Sequence, residues 1–210
     1  MNLNAFLDRA LLDMLGPSLF AFRPELVLCG TIVLLLLGHM FLPRWKSLPF
    51  LLTFAGSAFA LFLLEPWAYL SGGSVPVVPA FSGMLILDGF GLFFRSILLG
   101  FAILYVLYTR ISGIPREEDA VDFFVLFLGA TLGMCIMVSA NHMLTVFMGV
   151  EMASVPSYVL AGFLKGKRPG GEAALKFAVF GGATAGVMLY GITLLGGVLG
   201  SFHIPTMASH

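Results

Sequence analysis

Long apolar runs separated by short polar stretches lay out this chain. A spanning helix needs about 20 apolar residues, and six stretches read as spans: 24–41, 49–64, 84–108, 122–139, and a pair between 141 and 197 joined by K-G-K-R-P-G-G. Pro24 suits a first turn, and Glu25 beside it favours the positive end of the helix dipole. Glu65, Pro66 and Trp67 close the second span at an interface, where an indole ring is favoured. A Gly/Ser/Pro-rich loop, S-G-G-S-V-P-V-V-P-A-F-S-G, follows; the third span begins near Asp88 and Gly89, and a polar loop over 109–121 precedes the fourth. The pattern predicts an all-α polytopic membrane protein of about six transmembrane helices. Its parts are an N-terminal interfacial segment over 1–23, helices one to four over 24–139, helices five and six over 140–200, and a tail over 201–210. Within 1–23, Asp8 and Asp13 and the lack of a basic leading region favour an amphipathic surface segment over a cleaved signal.

Basic residues orient the spans. Arg44, Lys46, Arg110, Arg116, Lys165, Lys167 and Arg168 all fall in the loops after spans one, three and five, against Arg9 and Arg23 in the N-terminal segment. The positive-inside rule then puts the odd loops inside and both termini outside, on the periplasmic side of a bacterial inner membrane.

Composition narrows the chemistry. The chain is 59% hydrophobic and 10% charged, with zero formal net charge, where a soluble domain carries roughly 25% charged residues. No basic face exists for a nucleic acid. Cys29 and Cys135 lie in apolar spans and read as small hydrophobes. His39, His142, His203 and His210 are too scattered for metal-ligand spacing, and His39 and His142 read as interfacial residues. Neither a dinucleotide fingerprint nor a phosphate loop occurs. The run Arg116, Glu117, Glu118, Asp119 reads as a solvated loop.

The charges inside the apolar runs carry the functional signal, because an ionisable group at bilayer depth costs at least about 2.5–3.5 kcal/mol and marks an ion or proton path. Glu151 lies near mid-depth of span five. Burial penalises a carboxylate and a neighbouring cation stabilises it, so such a group can trade a proton under a neighbour's control. The alternative is a neutral, hydrogen-bonded packing group. Ser154 and Ser157 follow within two turns, Pro156 frees the Met152 carbonyl and permits local hydration, and Gly149 and Gly162 allow close helix approach. In span six Lys176 stands four residues after Glu172, the favourable order for a pair. Lys176 either snorkels to the inner interface or, beside Gly181 and Gly182, faces protein and carries protons. Glu172 is a dipole partner or an entry acid. Asp88 and Arg95 share a face of span three: Asp88 suits a helix cap, and Arg95, always charged, suits an electrostatic role near a path or paired across helices.

The segments P-E-L-V-L, L-D-G-F, N-H-M-L-T-V-F-M-G-V-E-M-A-S-V-P-S-Y-V-L, E-A-A-L-K-F and A-G-V-M-L-Y-G occur in collinear order. Together they resemble the subunit N family of proton-pumping NADH:quinone oxidoreductase, respiratory complex I, whose antiporter-like fold is shared with multisubunit cation/proton antiporters. The resemblance implies that Glu151 and Lys176 belong to a buried polar axis carrying protons, with Glu172 in the same region and Arg95 a weaker match. Members have about fourteen spans built from inverted repeats. The present run of spans implies an incomplete antiporter-like fold, completed by a further chain or a C-terminal part. The implied function is a membrane-arm subunit taking part in proton translocation coupled to electron transfer from NADH to quinone, not catalytic alone. It would hold no cofactor itself, with NADH, FMN, iron–sulfur clusters and quinone in partner subunits, and would contact other membrane-arm subunits and the lipid bilayer. The alternatives are a subunit of a Na+/H+ antiporter or membrane-bound hydrogenase, and a truncated, non-conducting structural or assembly subunit.

Overall fold

A computed structural model describes residues 16, 18–41, 45, 47–67, 77–164 and 168–209. Most of the expected interfacial segment, and the loop bases Arg44, Lys46, Lys165 and Lys167, lie outside the described residues. The helices are α1 (Arg23–Phe41), α2 (Leu48–Leu63), α3 (Gly89–Ser112), α4 (Ala120–Ser139), α5 (Met143–Ala161), α6 (Arg168–Leu199) and the short α7 (Ile204–Ala208). Five of them, α1 and α3 to α6, are long and apolar enough to cross a bilayer, and α2 is a shorter apolar helix of 16 residues. At 1.5 Å per residue α6 is roughly 48 Å long, well beyond the ~30 Å hydrocarbon layer.

Helix α4 is the hub. Its Phe123, Phe124, Phe127, Leu128 and Leu132 are buried against Leu28 and Leu35 of α1, Ala60 of α2, and Leu99, Ala102 and Val106 of α3. Tyr105 of α3 stacks on Phe127 with ring centroids 4.7 Å apart. On its other side α4 meets α5 through glycine. A Cβ on Gly133 would stand 2.6 Å from the Ala153 nitrogen, and one on Gly149 would stand 2.8 Å from the Met137 nitrogen. Only a bare Cα lets these backbones approach so closely.

Two departures from the sequence reading concern helix starts. The stretch read as loop to residue 83 and helix from 84 holds a β-hairpin, β1 (Val78–Ala80) antiparallel to β2 (Leu85–Leu87), with Val78 opposite Leu87 and Ala80 opposite Leu85. Phe81, Ser82 and Gly83 turn it with positive φ of 51°, 55° and 84°. The third helix begins at Gly89, as expected near Asp88 and Gly89, because Asp88 caps it, its side chain accepting from the Gly91 N–H at 2.6 Å. Conversely, α6 starts at Arg168, four residues before Glu172, with Pro169 in the first turn where a missing N–H costs nothing.

The hairpin is stitched across one end of the bundle. The Phe81 N–H donates to Ser18 Oγ at 2.9 Å, Phe22 meets Phe81 edge to face at 5.4 Å, and the Asn141 N–H donates to the Met84 carbonyl at 2.9 Å. At this same end the expected tail folds back: the Met143 N–H donates to the Phe202 carbonyl at 2.9 Å, and the Ile204 N–H to the Asn141 carbonyl at 3.0 Å. The Asn141 side chain also lies 3.2 Å from His203 Nε2. His142, read as interfacial, caps α5 by accepting from the Leu144 N–H at 3.3 Å.

Candidate functional site

Glu151 occupies the middle of α5, half-buried. Gly149 and Ala153 face α4, and at 100° per residue Glu151 falls on the opposite side of the helix, with Ser154 and Tyr158. No described residue forms an ion pair or hydrogen bond with it. Ser157 turns back to its own helix, donating to the Ala153 carbonyl at 2.7 Å. Helix α5 runs unbroken through Pro156, whose ring approaches Gly129 of α4.

Lys176 and Glu172 are joined, Nζ to Oε1, at 2.6 Å, and each side chain is 66% exposed. The desolvated lysine weighed from the sequence is thus uncovered here, because nothing in the described chain packs over this face of α6, where only Ile192 and Gly196 are buried. Gly182 has open space before it, while Gly181 receives the Tyr158 ring. Phe177 packs edge to face on Tyr158 at 4.7 Å, and Ala174 abuts Gly162. These contacts fix the antiparallel register of α5 and α6. Continued by equal steps, it brings Glu151 level with about Val187, leaving roughly 16 Å along the axis between Glu151 and Lys176. The structure therefore joins Glu172 to Lys176 and keeps Glu151 apart from both.

A second charged locus lies under the hairpin. Arg95 of α3 and Glu25 of α1 are 2% and 1% exposed, with Nε 3.2 Å from Oε1. Arg95 Nε donates to Ser139 Oγ at 2.6 Å, Nη1 reaches the Ala21 carbonyl at 3.5 Å, and Ser139 donates onward to the Cys135 carbonyl at 2.9 Å. Neither carboxylate oxygen of Glu25 receives a well-directed hydrogen bond among the described residues; Oε1, 3.2 Å from Arg95 Nε, is held by charge. Arg95 is paired across helices, one of the roles its permanent charge allowed. Glu25 is the residue sequence reasoning missed, having been assigned to the helix dipole. An arginine in an apolar span demanding a counter-ion was the available signal. Asp88, on the same helix as Arg95, is occupied as the cap of α3. Among the described residues no group of three or more His, Cys, Asp or Glu is placed to hold a metal ion.

The family model described as NADH:quinone oxidoreductase/Mrp antiporter, TM, matches residues 140–210, the stretch that holds Glu151, Glu172 and Lys176. NADH-quinone oxidoreductase subunit N 2 of Symbiobacterium thermophilum is 33% identical over 205 residues, covering 94% of this chain and 40% of the relative. Subunit N of an Anaeromyxobacter species is 39% identical over 182 residues, covering 86% of this chain and 34% of the relative. The last third of the chain thus matches the NADH:quinone oxidoreductase/Mrp antiporter membrane family, and most of its length is similar to the first part of subunit N relatives. A chain of respiratory complex I from Thermus thermophilus superimposes with a TM-score of 0.69 at 29% identity, over 86% of this chain and 38% of that one. A chain of an archaeal membrane-bound sulfane sulfur reductase superimposes with a TM-score of 0.70 at 20% identity, a likeness of fold alone.

The chain is an integral membrane protein, as its apolar helices require. It spans about 40% of the length of the curated relatives it matches. In α5 and α6, which fall in the matched stretch, only Gly149, Ile192 and Gly196 are buried.

Proposed function

We propose that the chain forms part of a membrane-arm subunit of NADH:quinone oxidoreductase and takes part in proton translocation coupled to electron transfer from NADH to quinone. In this reading Glu151 holds a transferable proton, the Glu172–Lys176 pair forms a second station nearer the basic-loop end, and further helices cover α5 and α6. The single observation that carries it is Glu151: an acid at mid-helix, turned away from α4, with no described partner, inside the stretch matched by the family model. The gap of roughly 16 Å between Glu151 and Lys176 exceeds any direct proton jump, so waters or further side chains bridge the two stations.

Other membrane-arm subunits and a further chain or C-terminal part complete the assembly. NADH, FMN, iron–sulfur clusters and quinone reside in partner subunits, and this chain is not catalytic alone. The membrane is the bacterial inner membrane, with both termini on the periplasmic side, in accord with the basic loops at one end of the bundle. The test is Glu151→Gln in the assembled complex, measuring NADH-driven acidification of inverted membrane vesicles. Proton transfer should fall at least about tenfold, equivalent to ~1.4 kcal/mol on the limiting barrier, with assembly unchanged on native gels. Undiminished acidification would sink the reading.

A further inference from the structure

Two histidines meet where the chain folds back on the head of α5. His142, the residue before α5, stands opposite His203, just past α6, in an isolated antiparallel bridge. The backbone bonds from Met143 to Phe202 and from Ile204 to Asn141 flank this pair. That pattern belongs to the non-hydrogen-bonded kind of antiparallel pair, in which the Cα atoms are about 4.5 Å apart and the two side chains are close neighbours. Both imidazoles are half-buried, so each keeps some contact with water.

Each ring serves as an acceptor. His142 Nδ1 accepts from the Leu144 N–H at 3.3 Å, so this nitrogen carries no proton. His203 Nε2 stands 3.2 Å from Asn141 Nδ2, and the same amide nitrogen donates to the Gly83 carbonyl at 3.2 Å. A carbonyl only accepts, so Gly83 fixes which end of the amide faces it, and His203 Nε2 is the bare nitrogen of its ring. The ring proton then sits on Nδ1, 3.4 Å from Thr206 Oγ1. A series of links thus runs from the hairpin turn through Asn141 to the segment after α6.

A second proton on either ring breaks this arrangement, because imidazolium donates from both nitrogens. On His203 it meets the amide N–H. Turning the amide to offer Oδ1 instead sets that oxygen against the Gly83 carbonyl, so one of the two links of Asn141 is lost either way. On His142 the added proton removes the cap of α5. Two cations directly opposite each other on a bridge also repel. Among the described residues neither imidazole forms an ion pair. Of the charged groups at this end, Asp88 is engaged by the Gly91 N–H, and Arg95 and Glu25 are paired with each other. The groups described against the two rings are uncharged: Gly83 from the hairpin, Asn141 and the Leu144 N–H from α5 and its approach, and Phe202 and Thr206 from the segment after α6.

We propose that His142 and His203 form an acid-released clasp, which when neutral fastens the hairpin turn to the segment after α6 through Asn141 and when protonated lets the two part. Histidine is the side chain whose charge ordinarily changes between about pH 5 and 8. The clasp is therefore shut on the alkaline side of that range and opens as pH falls through it.

The full chain with Cys29→Ala and Cys135→Ala, bearing nitroxides at the exposed positions Met84→Cys and Ala208→Cys, is placed in nanodiscs. Dipolar electron paramagnetic resonance then reads the separation of the hairpin turn from α7. The ratio of close to parted molecules should fall about tenfold between about pH 8 and about pH 5, the shift expected when a hydrogen bond is lost and two like charges face each other. His142→Asn with His203→Gln keeps an acceptor at both positions without an imidazole, and this double variant should give the same ratio at both pH values. A ratio unchanged by pH in the protein with both histidines overturns the proposal. So does a pH response that persists in the double variant with helix content intact by circular dichroism. Parting that comes only with loss of helix content would show general acid unfolding, and would equally overturn it.

Discussion

Arg95 and Glu25, on α3 and α1, meet at 3.2 Å with both side chains almost fully buried, and Ser139 of α4 binds the same guanidinium. Three helices are thereby keyed to one another beneath the hairpin. Removing one partner strands the other's charge, whereas removing both leaves a space that apolar side chains can fill.

Glu25→Ala and Arg95→Ala are each expected to destabilise the bundle by about 3–5 kcal/mol. Glu25→Leu combined with Arg95→Met should cost less than either alone. Thermal unfolding in nanodiscs, followed by circular dichroism, checks the order; a double variant weaker than both single variants would refute the account.

Gly133→Ala should force α4 and α5 apart, since the added carbon would sit 2.6 Å from the Ala153 nitrogen and 2.7 Å from the Met152 carbonyl carbon. Overpacking of this kind costs about 1–3 kcal/mol. Gly186→Ala, with nothing within 4 Å, should be close to neutral. The melting temperatures of the two variants give the comparison directly.

Asp88→Ala should cost about 1 kcal/mol through loss of the α3 cap, and Asp88→Ser should restore most of it. Because the carboxylate is engaged by the Gly91 N–H, Asp88→Asn should leave vesicle acidification near the parent rate. A collapse of proton transfer with stability intact would instead place Asp88 on the path.

Lys176→Met is expected to impair proton transfer by the assembled complex more than Lys167→Met, since Lys176 holds Glu172 and Lys167 falls in the basic turn between the last two long spans. Vesicle acidification at matched subunit content measures the difference. Equal rates would remove Lys176 from the path.

The helices were legible because bilayer-length apolar runs admit little else, and Asp88 marked the start of α3 through its capping chemistry. The hairpin was not, for strands of three residues are too short to display alternation. Glu25 was misjudged for a related reason. A glutamate in a first turn ordinarily meets water, whereas the folded bundle leaves Glu25 only 1% exposed. Glu172 and Lys176 declared their pairing by spacing alone. The separation of Glu151 from Lys176 did not show, because antiparallel register is set by Tyr158 against Gly181 and by Gly162 against Ala174, close approaches between residues distant in sequence.

The backbone bonds from Met143 to Phe202 and from Asn141 to Ile204 pin the start of α5 to the segment just past α6. Two rods fastened at one end cannot slide lengthwise past each other like pistons. Any stroke that brings the acid of α5 and the amine of α6 into communication must come from swinging side chains, from threaded water, or from the leaf of two helices rocking as one piece about its pinned edge.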